Sequence, residues 1–249
     1  AVVFFSGGIS SYCAAKLTVQ KYGAENTTLL FTDTLTEDED LYRFIRQGAM
    51  VLGAHLEWIT EGRDVWQVFN DRKYVGNTRR DPCSEILKRL PAKRWIKQNA
   101  PDAVLVFGID EFEAHRAETI TKRYAPQVVE YPLIDKVMGH DEKTRMVESD
   151  GLKIPRLYGM GFAHNNCGGF CVKAGQAHFA NLYKTMPERY AYHAEQERAI
   201  MATGINHKGI IRKTENRVQK YLTLNDFIPL IEAGKFDKND VRGCGCFAS

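Results

Sequence analysis

The stretch FFSGGISSYCAAKL, residues 4–17, sets a small-residue loop between an apolar run and an amphipathic segment. Consecutive glycines, Gly7 and Gly8, let the backbone turn tightly and bring its N–H groups against an anion, and the helix that follows supplies the positive end of its dipole. Ser6, Ser10 and Ser11 add hydroxyl donors. No Gly-Lys-Ser/Thr closes the loop, so it is not the Walker pattern. Nor does it contain an acid. A tight β-to-α turn that binds nothing is the alternative reading of the same residues.

Outward from the loop, the apolar runs AVVFF, TTLLF, HLEWI and AVLVFG (103–108) alternate with helical stretches from about Ser10 to Tyr22 and from about Glu37 to Leu52. Alternation of this kind implies βαβ units and a parallel sheet buried on both faces. Ligands of such sheets lie beyond the carboxyl ends of the strands, at the switch point in strand order. SGGISS, FTDT (31–34) and GIDE (108–111) each follow a strand-like run, which places them in one crevice. After about residue 150 the texture changes to Gly, Asn and Cys, then to helices near Gly175–Lys184 and Pro187–Thr203. A last helix fits TLNDFIPLIEAG, with Thr223 as cap and Gly234 as stop. The expected organisation is an α/β domain over 1–150 and a helical, cysteine-containing portion over 151–249, with no comparable strand in the second.

The 249 residues are 44% hydrophobic and 26% charged, and no apolar run approaches a membrane span. With no secretory signal at its start, the chain is expected to be cytoplasmic, its terminus processed or trimmed. A formal charge of +3 is too small to imply a nucleic-acid partner by itself. Basic residues do cluster, from Arg79 to Lys97 and from Lys208 to Lys220, as solvated helix faces or as phosphate-binding surfaces.

The loop resembles the SGGxDS loop of the PP-loop ATP pyrophosphatases, which cleave ATP between its α and β phosphates. FTDT looks like that superfamily's second-strand motif, and GIDEFEAHR (108–116) resembles the Gly-x-x-x-x-Glu-x-x-Arg region of its phosphoadenosine phosphosulfate (PAPS) reductase branch. The resemblance covers roughly residues 1–135. It implies an adenine nucleotide alpha hydrolase-like α/β fold. It also implies a nucleotide site of Ser6, Gly7, Gly8, Ser10, Ser11, Thr32, Asp33, Thr34, Gly108, Ile109, Glu113 and Arg116, with catalytic roles for Asp33 and Arg116. Two positions depart from the pattern: Ser10 stands where the superfamily has a Mg²⁺-linked Asp, and Asp110 where the reductases have Arg. Either another acid, Asp33 or Asp110, contacts Mg²⁺, which needs only one or two protein carboxylates beside phosphates, or ATP cleavage is lost.

Six cysteines in a chain of this kind point to metal or redox use rather than disulfides. Cys13, inside the first helix, reads as a core residue. Cys167 and Cys171 are four apart, and Cys83 opens a helix, where thiolates are favoured. Cys244 and Cys246 stand in GCGCF near the end. Four thiolates suit tetrahedral zinc or a [4Fe-4S] cluster, and spacing does not separate them. The resemblance tilts the choice to iron, held by Cys83, Cys167, Cys171 and one of the tail pair, with Cys244 as the ligand named; the remaining tail cysteine is then free to carry sulfur, so that Cys244 and Cys246 are both catalytic candidates. His164 is a substitute ligand, while His178 and Asn165 have ordinary structural alternatives. Among sulfur-transfer relatives the overall plan resembles that of the ATP pyrophosphatases of DNA phosphorothioation, and this resemblance implies ATP, Mg²⁺, a cysteine desulfurase as sulfur donor and DNA as acceptor. PAPS or APS reduction is the second reading, and a non-catalytic nucleotide-binding module with structural zinc the third.

Overall fold

The computed structural model describes residues 1–77, 80–165, 167–215 and 217–242. Its centre is a parallel sheet of β1 (Val2–Phe4), β2 (Thr28–Asp33), β3 (His55–Thr60), β4 (Leu105–Val106) and β5 (Val129–Glu130), in the order β3-β2-β1-β4-β5. β1 is central: Val3 lies opposite both Leu29 and Val106. Successive side chains of a strand face opposite ways, and both faces are covered. Val3, Phe5, Leu29 and Phe31 pack with the helices Ile9–Tyr22, Glu39–Leu52 and His140–Ser149. Val2, Phe4, Leu30 and Phe107 pack with the helices Leu90–Asn99 and Ala117–Tyr124. The chain winds one way from β1 to β3 and returns on the other side of β1 to make β4. The switch point therefore lies between the ends of β1 and β4.

A third core joins Trp66, Phe69 and Leu87 to Phe170, Phe179, Tyr190 and Phe227. It unites the helix Val65–Arg72 with Gln176–Thr185, Pro187–Ala202 and Leu224–Glu232. Packing thus crosses the division expected at residue 150, because residues 65–87 belong to the C-terminal core. Thr223 caps the last helix by accepting the Asp226 N–H at 3.1 Å, and Gly234 follows it at φ 65°. The C-terminal portion also holds strands where none is expected. β6 (Ile211–Glu215) and β7 (Val218–Leu222) form an antiparallel hairpin from the basic run Lys208–Lys220. That run is therefore no helix face; Lys213 and Lys220 both pair with Glu215.

Asp38 is fully buried and starts the second helix at Glu39 by accepting the Asp40 N–H. Arg156 donates to both of its oxygens at 2.9 and 2.8 Å. This pair fixes the segment after residue 155 over the carboxyl end of the sheet.

Candidate functional site

The glycine loop turns where it must. Gly7 has φ +78°, and a Cβ there would stand 2.8 Å from Leu41. Ser11 Oγ donates to the Gly8 carbonyl at 2.8 Å, closing the first turn of the helix. Two residues from the segment pinned by Arg156 hold the loop from above. The Tyr158 hydroxyl accepts the Ile9 N–H at 3.3 Å, and Asn165 Nδ2 donates to the Gly7 carbonyl at 3.0 Å. Asn165 is buried, and its Oδ1 has no partner among the described residues. From the other side Gly108 brings the end of β4 against the loop so closely that a Cβ would lie 2.8 Å from the Ser10 carbonyl oxygen.

Between these segments opens a cleft of about 470 Å³. Ser6, Gly8, Ser10, Ser11, Gly108, Ile109, Glu113 and Arg116 all line it, as the sequence implies. Three cations line it, Lys88, Arg116 and Lys143, against two acids, and each acid is already paired. Lys143 Nζ donates to Asp110 Oδ2 at 2.6 Å and to Ser10 Oγ at 3.3 Å, while Arg116 is paired with Glu113. Burial draws the Arg116 guanidinium below its ordinary value, with Asp110 opposing.

Thr32, Asp33 and Thr34 are not among the lining residues. β2 is one strand removed from the switch point. The Asp33 carboxylate turns toward β3, accepting from the Leu35 N–H at 2.9 Å, Tyr42 Oη at 2.8 Å and Trp58 Nε1 at 3.2 Å. Expected beside the nucleotide or its metal, the Asp33 carboxylate is buried outside the cleft lining with three donors on it.

Thr34 instead lines a narrow cavity of about 20 Å³ together with Cys83, Cys167 and Cys171. Cys83 lies at a helix start, but burial outweighs that position and pushes its thiol up to about 12. Burial also raises Cys167 and Cys171, with Lys88 opposing in both. Lys88 is the residue common to this cavity and to the cleft. Expected on a basic surface, it is only 4% exposed. It sits on a π-helical turn, Glu85–Arg89, inside a continuous helix running from Pro82 to Asn99. Pro91 has no N–H to give, and just before it the Leu90 N–H reaches back five residues to the Glu85 carbonyl. Lys88 Nζ then stands 3.3 Å from Glu37 Oε1, and the same carboxylate accepts from the Thr34 hydroxyl and from the Cys167 N–H. Burial favours the neutral amine of Lys88, but Cys167 and Glu37 outweigh it and raise its pKa.

The model of the phosphoadenosine phosphosulfate reductase domain matches residues 1–234. The chain belongs to this family. A crystal structure of phosphoadenylyl-sulfate (PAPS) reductase from Candida auris, a phosphate complex, is similar over 65% of this chain and 78% of that chain, at 13% identity and a TM-score of 0.46. No curated protein matches. The family makes this a nucleotide-binding protein of sulfur transfer or reduction.

Against this family background the metal expectations can be tested on the side chains. Asp110 and Glu113 are turned onto Lys143 and Arg116, so the cleft offers no carboxylate free for Mg²⁺ among the described residues. Cys83, Cys167 and Cys171 share one cavity, and among the described residues no group of three or more His, Cys, Asp or Glu side chains is arranged to hold a metal ion. Cys244 and Cys246 lie outside the described residues. His164 lines the cleft rather than the thiol cavity, and the ring of His178 bonds the Gly169 carbonyl at 2.7 Å. Cys13 is fully buried, and burial pushes its thiol up to about 12. Sequence reasoning missed Lys143, His140 and Tyr158, all cleft residues. The available signal was Asp110, an unexpected acid at a strand end that requires a cation.

Proposed function

We propose that this chain binds an adenine nucleotide in the cleft and uses the cysteines beside it to take sulfur from that nucleotide, with reduction of a sulfonyl nucleotide such as PAPS as the reaction. The observation that carries this reading is Lys88, a single buried cation lining both the anion-binding cleft and the thiol cavity. Such a cation attracts phosphate or sulfonate oxygens on one side and favours a thiolate on the other. Attack of a thiolate on the sulfonyl sulfur breaks its bond to the phosphate oxygen, and adenosine bisphosphate leaves. A second thiol then displaces sulfite, so two thiols become a disulfide while sulfur is reduced. The candidates are Cys83, Cys167, Cys171 and the tail cysteines Cys244 and Cys246. Arg116, paired with Glu113 at the mouth of the cleft, is the further candidate for contact with the nucleotide.

The test is anaerobic incubation of the chain with PAPS and dithiothreitol, reading sulfite, beside ATP and Mg²⁺ with and without DNA or tRNA, reading pyrophosphate. Sulfite formation is the expected result. Pyrophosphate without sulfite would replace it with the second reading, an ATP pyrophosphatase that activates DNA for sulfur delivered by a cysteine desulfurase. Its support is the hairpin β6–β7, which carries Arg212, Lys213, Arg217 and Lys220. Iron and zinc analysis with an ultraviolet-visible spectrum reads out a [4Fe-4S] cluster or zinc on Cys83, Cys167, Cys171 and Cys244.

A further inference from the structure

The geometry points to Lys143 as the oxyanion-binding residue of the cleft, positioned by Asp110 and Ser10, so that the cleft takes a phosphate or sulfonate directly rather than through a divalent ion. Lys143 belongs to the charged helix His140–Ser149, yet it is 5% exposed. An ammonium group has three donors. Asp110 Oδ2 at 2.6 Å and Ser10 Oγ at 3.3 Å take two of them, at the rim of the loop whose backbone suits an anion. The third remains for a ligand oxygen.

The same arrangement accounts for the loop's missing acid. Asp110 already balances Lys143, and a second carboxylate at position 10 would stand against the same ammonium and make this corner negative. An oxyanion would then need an added cation to enter. With a hydroxyl at Ser10 the corner holds one cation and one acid, and the remaining lining cations, Lys88 and Arg116, are balanced by Glu37 and Glu113, so the lining carries no surplus negative charge against an oxyanion. Asp33 supplies no alternative metal ligand, because its oxygens are occupied beside β3. Asp110 therefore acts as the anchor of a cation brought from another element, at the position where the family resemblance leads one to expect a cation on the strand end itself.

This inference rests on the nucleotide-binding reading for the adenosine part of the ligand only. It is tested by calorimetric titration with AMP, adenosine and inorganic phosphate, each in EDTA and in Mg²⁺. Wild-type protein should bind AMP with affinities that agree within about twofold in the two buffers. Losing a charge-assisted contact is a change of roughly tenfold or more, so Lys143→Met should weaken AMP and phosphate by that factor and leave adenosine nearly unchanged. Ser10→Asp should weaken AMP similarly in EDTA. Because Lys143→Met strands Asp110, the double variant Lys143→Met/Asp110→Asn, checked by circular dichroism, repeats the measurement with no buried unpaired charge. Undiminished AMP and phosphate affinity in a folded Lys143 variant overturns the proposal, as does a tenfold dependence of wild-type binding on Mg²⁺. If phosphate binds through Lys143 while adenosine does not bind and PAPS yields no sulfite, the nucleotide reading fails and this one stands.

Discussion

Replacing Gly108 by Ala tests the close approach of β4 to the glycine loop with a single methyl group. The added Cβ would lie 2.8 Å from the Ser10 carbonyl oxygen, 2.8 Å from Ser11 Cα and 2.9 Å from Ser11 N, all backbone atoms. Favourable contact between such atoms begins near ~3.5 Å, so the two segments must part by roughly half an ångström or more. Overpacking of this kind costs about 1–3 kcal/mol, while a stiffer unfolded chain returns about 0.4–1 kcal/mol. The net loss of about 1–2 kcal/mol lowers the melting temperature of a chain this long by about 2–8 °C. Because the part that moves is the loop, AMP affinity falls with it. Gly159→Ala is the control, since nothing lies within 4 Å of its added Cβ; it should bind like wild type and melt no lower, the stiffer unfolded chain adding about 0.4–1 kcal/mol. Thermal melts and AMP titrations of the two variants provide the comparison. A Gly108→Ala protein that melts within about 1 °C of wild type and binds AMP equally would refute the argument.

Asp33→Ala orphans three donors near a buried site, a destabilisation of about 2–5 kcal/mol, and should leave AMP affinity within about twofold; urea midpoints and titration read both, and the reverse pattern would return Asp33 to the cleft. Lys88→Met leaves Glu37 buried without its cation, a loss of about 3–5 kcal/mol. Adding Glu37→Gln should restore most of that stability without restoring sulfite formation, and recovery of both would remove Lys88 from the chemistry. His193, stacked on Phe170 at 3.8 Å, is held well below its ordinary value by burial and by Arg189. The unfolded chain therefore takes up a proton near pH 6.5 that the folded one refuses. Stability should fall by up to about 1.4 kcal/mol per pH unit as pH drops below ~6.5. Urea melts at pH 7.5 and 5.5 should show a smaller change in His193→Gln, and equal changes would exclude this origin.

Four of the five parallel strands were legible: β1, β2 and β4 because strands buried on both faces read as apolar runs, and the half-buried edge strand β3 because Leu56 and Trp58 alternate with His55 and Glu57. β5, two residues long, carries no such signal, and β6–β7 hid its pairing beneath lysines and arginines. The loop and GIDEFEAHR, expected in one crevice, line one cleft because both follow strands that flank the switch point. FTDT does not line that cleft because its strand lies a further step away, which depends on strand order rather than on any residue. Lys143 carries no signal of its own in the sequence. Only the packing of Cys13, whose thiol donates to the Lys143 carbonyl at 3.5 Å, and the pairing with Asp110 reveal that this helix faces inward there.

The π turn has a consequence for how this chain tolerates change. The helix it interrupts serves two masters: Ile86 and Leu87 belong to the C-terminal core, Ala92 and Ile96 to the sheet. One surplus residue between Glu85 and Arg89 is taken up in the wide turn between those two allegiances. Deleting it and closing the bulge would yield a more regular helix whose flanks stay nearly in phase. What would change is the bulge itself, on which Lys88 is set between the thiol cavity and the cleft. Substitutions along this helix can be absorbed one side chain at a time, but loss of the bulge cannot. Local helical regularity and a working site are, at this point of the chain, mutually exclusive.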